Sequence, residues 1–144
     1  ASCPKTVDVL EGFKSPRLMT GTPLSFAFFS TMGAGAEIRP HFGPSNLRIR
    51  CHFPLVVPKG DLGMVVGGKT LRWEVGKPLF FDDSYEHHVW NNTASQRVVL
   101  LFDLWHPDLE EEEIVAIQDM FGFAKEQGWT GAGAGAGADA KVAA

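Results

Sequence analysis

From about Leu24 to Trp105 the sequence breaks into short runs rich in Val, Ile, Leu, Phe and Thr, each closed by Gly, Pro, Asn or Asp. Chains punctuated this densely form all-β sandwiches or barrels, because no segment is long enough for a helix of several turns. The runs predict strands at Ser25–Ser30, Leu47–Leu55, Met64–Val66, Thr70–Glu74, Pro78–Phe81, His87–Trp90 and Arg97–Trp105. Between them, Gly43-Pro44-Ser45-Asn46, Pro58-Lys59-Gly60-Asp61 and Gly67-Gly68-Lys69 hold residues that accept turn geometry.

After Trp105 the period changes. Asp108 and Glu111 make a capping-box pattern, and Ile114, Val115, Ile117, Met120 and Phe121 recur at helical spacing. One C-terminal helix is therefore expected to pack on the sheets. The acidic run Glu110 to Glu113 reads as a solvated helix start, where the helix dipole favours negative charge. From Gly131 the chain reads GAGAGAGADAKVAA, with no side chain large enough to offset the entropy of ordering it. The expected organisation is one domain over 1–130 and a disordered tail over 131–144. A 44% hydrophobic content with 11 Phe and 4 Trp is enough to fill one core.

Thirteen Lys and Arg against 17 Asp and Glu give a formal charge of −4, without the basic excess that nucleic-acid binders use against phosphates. Cys3 and Cys51 show no zinc-site spacing. No apolar run reaches the ~18 to 20 residues of a membrane-spanning helix. The domain is expected to be soluble as it stands, with any membrane contact made through a segment outside this chain. The residues leave its compartment open.

Within Leu47–Leu55, the residues Leu47, Ile49, Cys51, Phe53 and Leu55 alternate with Arg48, Arg50 and His52, so period two gives one apolar and one cationic face. Two readings follow: an edge strand with a solvated polar face, or a strand whose Arg50 and His52 point inward to bind a carboxylate, a task suited to the guanidinium fork. Four histidines, His41, His52, His87 and His88, fall in or near strands, and His106 sits at a Trp-His-Pro corner. A histidine just before a turn, such as His41, and another at the start of a later strand, such as His87, can converge inside a rolled sheet. Such a pair is the histidine half of the two-histidine, one-carboxylate triad of non-haem iron oxygenases. Where that triad has Asp or Glu two places after the first histidine, this chain has Gly43. Trp73, Trp90, Trp105 and Trp129 read as packing residues.

The stretch Arg39-Pro40-His41-Phe42-Gly43-Pro44-Ser45-Asn46, then Leu47 through His52, then Phe81-Asp82-Asp83-Ser84-Tyr85-Glu86-His87, Val89-Trp90-Asn91, and Arg97 through Asp103 to Trp105-His106-Pro107, resembles the aspartyl/asparaginyl β-hydroxylase family in order and spacing. The resemblance covers most of Ser30 to Leu109. It implies an all-β double-stranded β-helix, a jelly-roll of cupin type, with a C-terminal helix. It also implies an Fe(II)- and 2-oxoglutarate-dependent dioxygenase that consumes O2 and releases succinate and CO2.

Carried onto matching positions, the resemblance implies that His41 and His87 hold the iron. Gly43 in place of the carboxylate is itself the family's pattern, with water in the vacant position and Asp83 as an acceptor behind it. Ser30 and Arg97 would hold the distal carboxylate of 2-oxoglutarate, and Arg50, Cys51 and His52 would line the rest of that pocket. The implied substrate is the β-carbon of an aspartyl or asparaginyl residue in a peptide or carrier-bound acidic chain. A branch resembling lipid A hydroxylases acts on fatty acyl chains instead, and a non-catalytic jelly-roll binding module is the rival of a different class. Strand alternation further predicts that His87, Val89 and Asn91 share one face, with His88 turned away from it.

Overall fold

The computed structural model describes residues 3–14 and 16–129; the Gly-Ala segment expected to form a tail lies outside the described residues. The elements are α1 (Pro4–Glu11), β1 (Ala27–Met32), β2 (Glu37–His41), β3 (Arg48–Val56), β4 (Leu62–Val66), β5 (Lys69–Leu71), β6 (Leu79–Phe81), β7 (His87–Asn91), β8 (Arg97–Trp105) and α2 (Glu111–Glu126). The strands form two four-stranded antiparallel sheets, ordered β1-β8-β3-β6 and β2-β7-β4-β5. Successive strands alternate between sheets except at the β4–β5 hairpin, which is the winding of a double-stranded β-helix. The fold is thus all-β with a C-terminal helix. At that hairpin Gly67 and Gly68 both have positive φ, 52° and 78°, as a two-residue turn matched to strand twist requires.

The main core lies between the sheets and includes Met32, Leu62, Met64, Trp73, Phe81, Val89, Val99 and Leu101. A second cluster, Leu10 with Cys51, Phe102 and Leu104, joins α1 to the outer face of the β1-β8-β3-β6 sheet. A third joins Met19, Trp105 and Ile114 where α2 meets the sheet.

Several expectations change. Leu47–Leu55 is not an edge strand: β3 is bonded to β8 on one side and β6 on the other, so its cationic face is turned inward. β2 is not among the predicted strands because Glu37, Arg39 and Pro40 are poor strand formers. It exists as an edge strand paired with β7, and Pro40 falls in the irregular stretch between Ile38 and His41, where an unpaired amide costs least. α1 was likewise unpredicted; eight residues starting at Pro4 carry little periodicity, and Leu10 is its one buried residue. The strand expected over Thr70–Glu74 ends at Leu71. The cap of α2 is Glu110 rather than Asp108, the Glu110 amide donating to Glu113 Oε2 at 2.9 Å.

Candidate active site between the sheets

Two buried polar regions adjoin in the space between the sheets. The first is an ion network built by β3 and β8, whose register sets Arg50 opposite Asp103. Arg48 Nε and Nη2 donate to the two oxygens of Asp83 at 3.0 and 2.6 Å. Arg50 Nε and Nη2 donate to those of Asp103 at 2.8 and 3.0 Å, and Arg50 Nη1 reaches Asp83 at 3.0 Å. Arg48 also donates to the Leu24 carbonyl, and the Phe26 amide donates to Asp103 Oδ2 at 3.0 Å. Two cations and two anions thus cancel in a water-poor space. Burial acts to lower the pKa of Arg50, but the hydrogen bond and charge of Asp103, with the charge of Asp83, outweigh it and raise that pKa.

Beside this network, β2 ends at His41 where β7 begins at His87, and the two are register partners. Their ring centroids lie 4.1 Å apart. His41 Nδ1 is 2.8 Å from the Arg39 carbonyl oxygen, and His87 Nδ1 is 2.9 Å from that of Tyr85. A carbonyl only accepts, so each Nδ1 carries a proton, and in the neutral ring it is Nε2 that keeps the lone pair through which imidazole binds a metal. Burial is the main cause that lowers the pKa of His87, with His41 acting in the same direction, which favours the neutral ring.

Gly43 shows why no carboxylate completes the set. A Cβ there would lie 2.5 Å from Asp83 Oδ2, and the Gly43 amide already donates to the Asp83 backbone oxygen at 2.6 Å. Among the described residues, no group of three or more His, Cys, Asp or Glu could hold a metal ion. His41 and His87 therefore stand as two imidazole donors with no third ligand-type side chain grouped with them among the described residues. That donor set fits a divalent iron which must also bind a chelating cosubstrate.

The second region holds Arg97, Ser30, His52 and Trp73. Arg97 is 1% exposed, yet among the described residues no carboxylate pairs with it. Its Nη2 donates to Ser30 Oγ at 3.2 Å, its guanidinium lies over Trp73 at 4.8 Å, and its buried Nε has no partner. Burial lowers its pKa to about 10. Trp73 Nε1 donates to His52 Nδ1 at 3.2 Å. His52 is driven down to about 3, chiefly by burial and then by the charges of Arg97 and Arg50, so it is neutral. With Nδ1 accepting, its proton sits on Nε2, and His52 is a donor, opposite in tautomer to His41 and His87.

Of the residues singled out in the sequence, His41, His52, His87, Ser30, Arg50, Arg97 and Asp83 belong to the intersheet space. Cys51 is the exception. Its side chain faces the other side of β3, packs with Leu10, Phe102 and Leu104, and has its thiol pushed up to about 12 by burial. Arg50 is near the site but is committed to Asp103 and Asp83. His88 is on the outer face of β7, its ring 5.8 Å from that of Trp90, while His87, Val89 and Asn91 are buried. Three contributors were missed: Arg48, Asp103 and Trp73. Alternation along β8 from Arg97 through Val99 and Leu101 leads to Asp103, a signal that could have found it.

A family profile described as aspartyl/asparaginyl beta-hydroxylase matches residues 1–107. The mouse aspartyl/asparaginyl beta-hydroxylase is 40% identical over 110 residues, covering 76% of this chain and 14% of that protein. The Xenopus tropicalis aspartate beta-hydroxylase domain-containing protein 2 is 34% identical over 122 residues, covering 83% of this chain and 32% of that protein. The chain therefore spans a third or less of these relatives' own length. Among solved structures, a cupin protein from Bacteroides fragilis is similar at a TM-score of 0.48 and 16% identity, over 64% of this chain and 72% of that one. That last likeness concerns the fold alone.

Proposed function

The chain belongs to the aspartyl/asparaginyl β-hydroxylase family, and on that premise we propose that it is an Fe(II)- and 2-oxoglutarate-dependent dioxygenase acting on the β-carbon of aspartyl or asparaginyl residues. The observation that carries this reading is the pairing of His41 and His87. The two rings lie 4.1 Å apart, and both are fixed by backbone carbonyls with Nε2 left as acceptor. Iron with 2-oxoglutarate and O2 would supply the oxidation, yielding succinate, CO2 and a hydroxylated carbon.

The chain's own residues do the rest. His41 and His87 would hold the metal through their Nε2 atoms. Arg97 and Ser30 take the distal carboxylate of 2-oxoglutarate, which satisfies the orphaned Nε and a buried cation at once. His52, held by Trp73, offers its Nε2–H to an anionic oxygen in the same pocket. Asp83, gripped by Arg48 and Arg50, is placed to accept a hydrogen bond from water beside the metal. The packed core around Trp73 and Phe81 limits water.

The test is anaerobic addition of Fe(II) and 2-oxoglutarate. The expected result is the weak visible charge-transfer band of a chelated keto acid, followed by succinate when air and a peptide are admitted. His87→Ala and His41→Ala should each abolish the band, whereas His88→Ala should keep it. A band that survives in His87→Ala but disappears in His88→Ala would overturn the assignment.

A further inference from the structure

β1 and its lead-in place Phe26, Phe28, Ser30 and Met32 on the inner face of their sheet. Phe28 lies opposite Leu101, Ser30 opposite Val99 and Met32 opposite Arg97. The Phe26 carbonyl accepts from the Asp103 amide, so the alternation extends back to Phe26. Met32 closes the core and Ser30 meets Arg97. The two phenylalanines do neither: Phe28 is 46% exposed and Phe26 36%. Their rings meet edge to face at 6.2 Å, and the Phe26 ring lies 5.9 Å from the guanidinium carbons of both Arg48 and Arg50. β1 is an edge strand, so this aromatic row runs along an open margin of the site, from the ion network to Ser30.

We propose that Phe26 and Phe28 form an apolar subsite of the substrate cleft, which receives a large hydrophobic side chain adjacent to the hydroxylated residue of a peptide. The inference rests on the reading of an aspartyl or asparaginyl substrate. The backbone beneath both rings is held, at Phe26 by its bonds to Asp103 and at Phe28 by strand pairing, so the position of the shelf is set before substrate arrives. It is continuous with the residues assigned to the cosubstrate, which places its occupant next to the reacting carbon. The paired guanidinium groups behind Phe26 carry no spare charge, so this margin selects for apolar contact rather than for acidic flanks. An extended peptide advances about 3.3 Å per residue and turns successive side chains to opposite sides, so the residue beside the hydroxylated one can lie along this margin while the hydroxylated one enters the site.

The test uses two labelled peptides that differ only in whether the aspartate is flanked by Leu or by Ser. Binding is measured under argon to the protein with Fe(II) and 2-oxoglutarate. The Leu-flanked peptide is expected to bind about 10-fold more tightly, the low end of what one methylene is worth in an apolar pocket. Phe28→Ser should bring the two affinities together, whereas Ala27→Ser, on the outer face of the same strand, should keep them apart. Equal affinities in the wild type, or a preference that survives Phe28→Ser, would overturn the proposal. So would a fatty acyl amide that binds more tightly than both peptides and loses its advantage in Phe28→Ser, since the occupant would then be a lipid chain. A gain of one oxygen is scored separately by mass spectrometry. Preferential binding without that gain would sink the hydroxylase reading and leave the subsite standing.

Discussion

Arg48 and Arg97 are both about 1% exposed and both face the space between the sheets, yet one is fully paired and the other is not. Arg48 and its neighbour Arg50 face two carboxylates with near-complete hydrogen bonding. Arg97 has a serine hydroxyl, an aromatic face and an orphaned Nε. A buried ion pair that is satisfied from all sides holds a fold in register, and its desolvation cost is offset within the chain. A buried cation without an anion raises the free energy of the unliganded protein and is suited to a ligand that brings the missing charge. The contrast distinguishes the two arginines more cleanly than position does.

The comparison breaks most visibly on the paired side. Asp83→Asn should destabilise the metal-free protein by about 3 to 5 kcal/mol, because it strands Arg48 and part of Arg50 in a buried space. Urea denaturation reads this directly, and a loss under about 1 kcal/mol would mean that water already reaches the network. Arg97→Met should act with the opposite sign. Removing an unpaired buried charge is worth about 1 to 3 kcal/mol, partly cancelled by the lost contact with Trp73, so a net gain on the order of 1 kcal/mol is expected in the same assay. Loss of stability comparable to that of Asp83→Asn would show that Arg97 is structural after all.

A smaller change sharpens the picture of the unpaired side. Trp73→Phe keeps a ring beneath Arg97 but deletes the N–H that fixes His52, costing about 1 kcal/mol. The 15N shifts of His52 should move from a single Nε2–H tautomer to a mixture. If the tautomer stays unchanged, Trp73 only fills space.

How much of this the sequence disclosed depended on whether the signal was local. The histidine pair was legible because His41 and His87 each sit in a recognisable motif, and the face of β3 carrying Arg48, Arg50 and His52 followed from alternation. The same alternation should have excluded Cys51, which falls between Arg50 and His52 and so must face the other way. β2 was illegible because its strand character comes from β7 rather than from Arg39 and Pro40. Asp103 lay on a predictable face, but its bond to Arg50 depends on a pairing across 53 residues that no local pattern encodes. Trp73 looked like filler because its indole N–H acquires a role only once His52 is beside it.

The central claim is that Arg97 is unpaired because 2-oxoglutarate supplies its partner. Calorimetric titration of 2-oxoglutarate into the Fe(II)-loaded protein under argon, for the wild type and for Arg97→Gln, tests this most directly. The account predicts that Arg97→Gln loses on the order of 2 to 5 kcal/mol of cosubstrate affinity while Fe(II) binds as before, since a buried charge-assisted contact is removed without touching His41 or His87. Equal affinity of the two proteins for 2-oxoglutarate would contradict it.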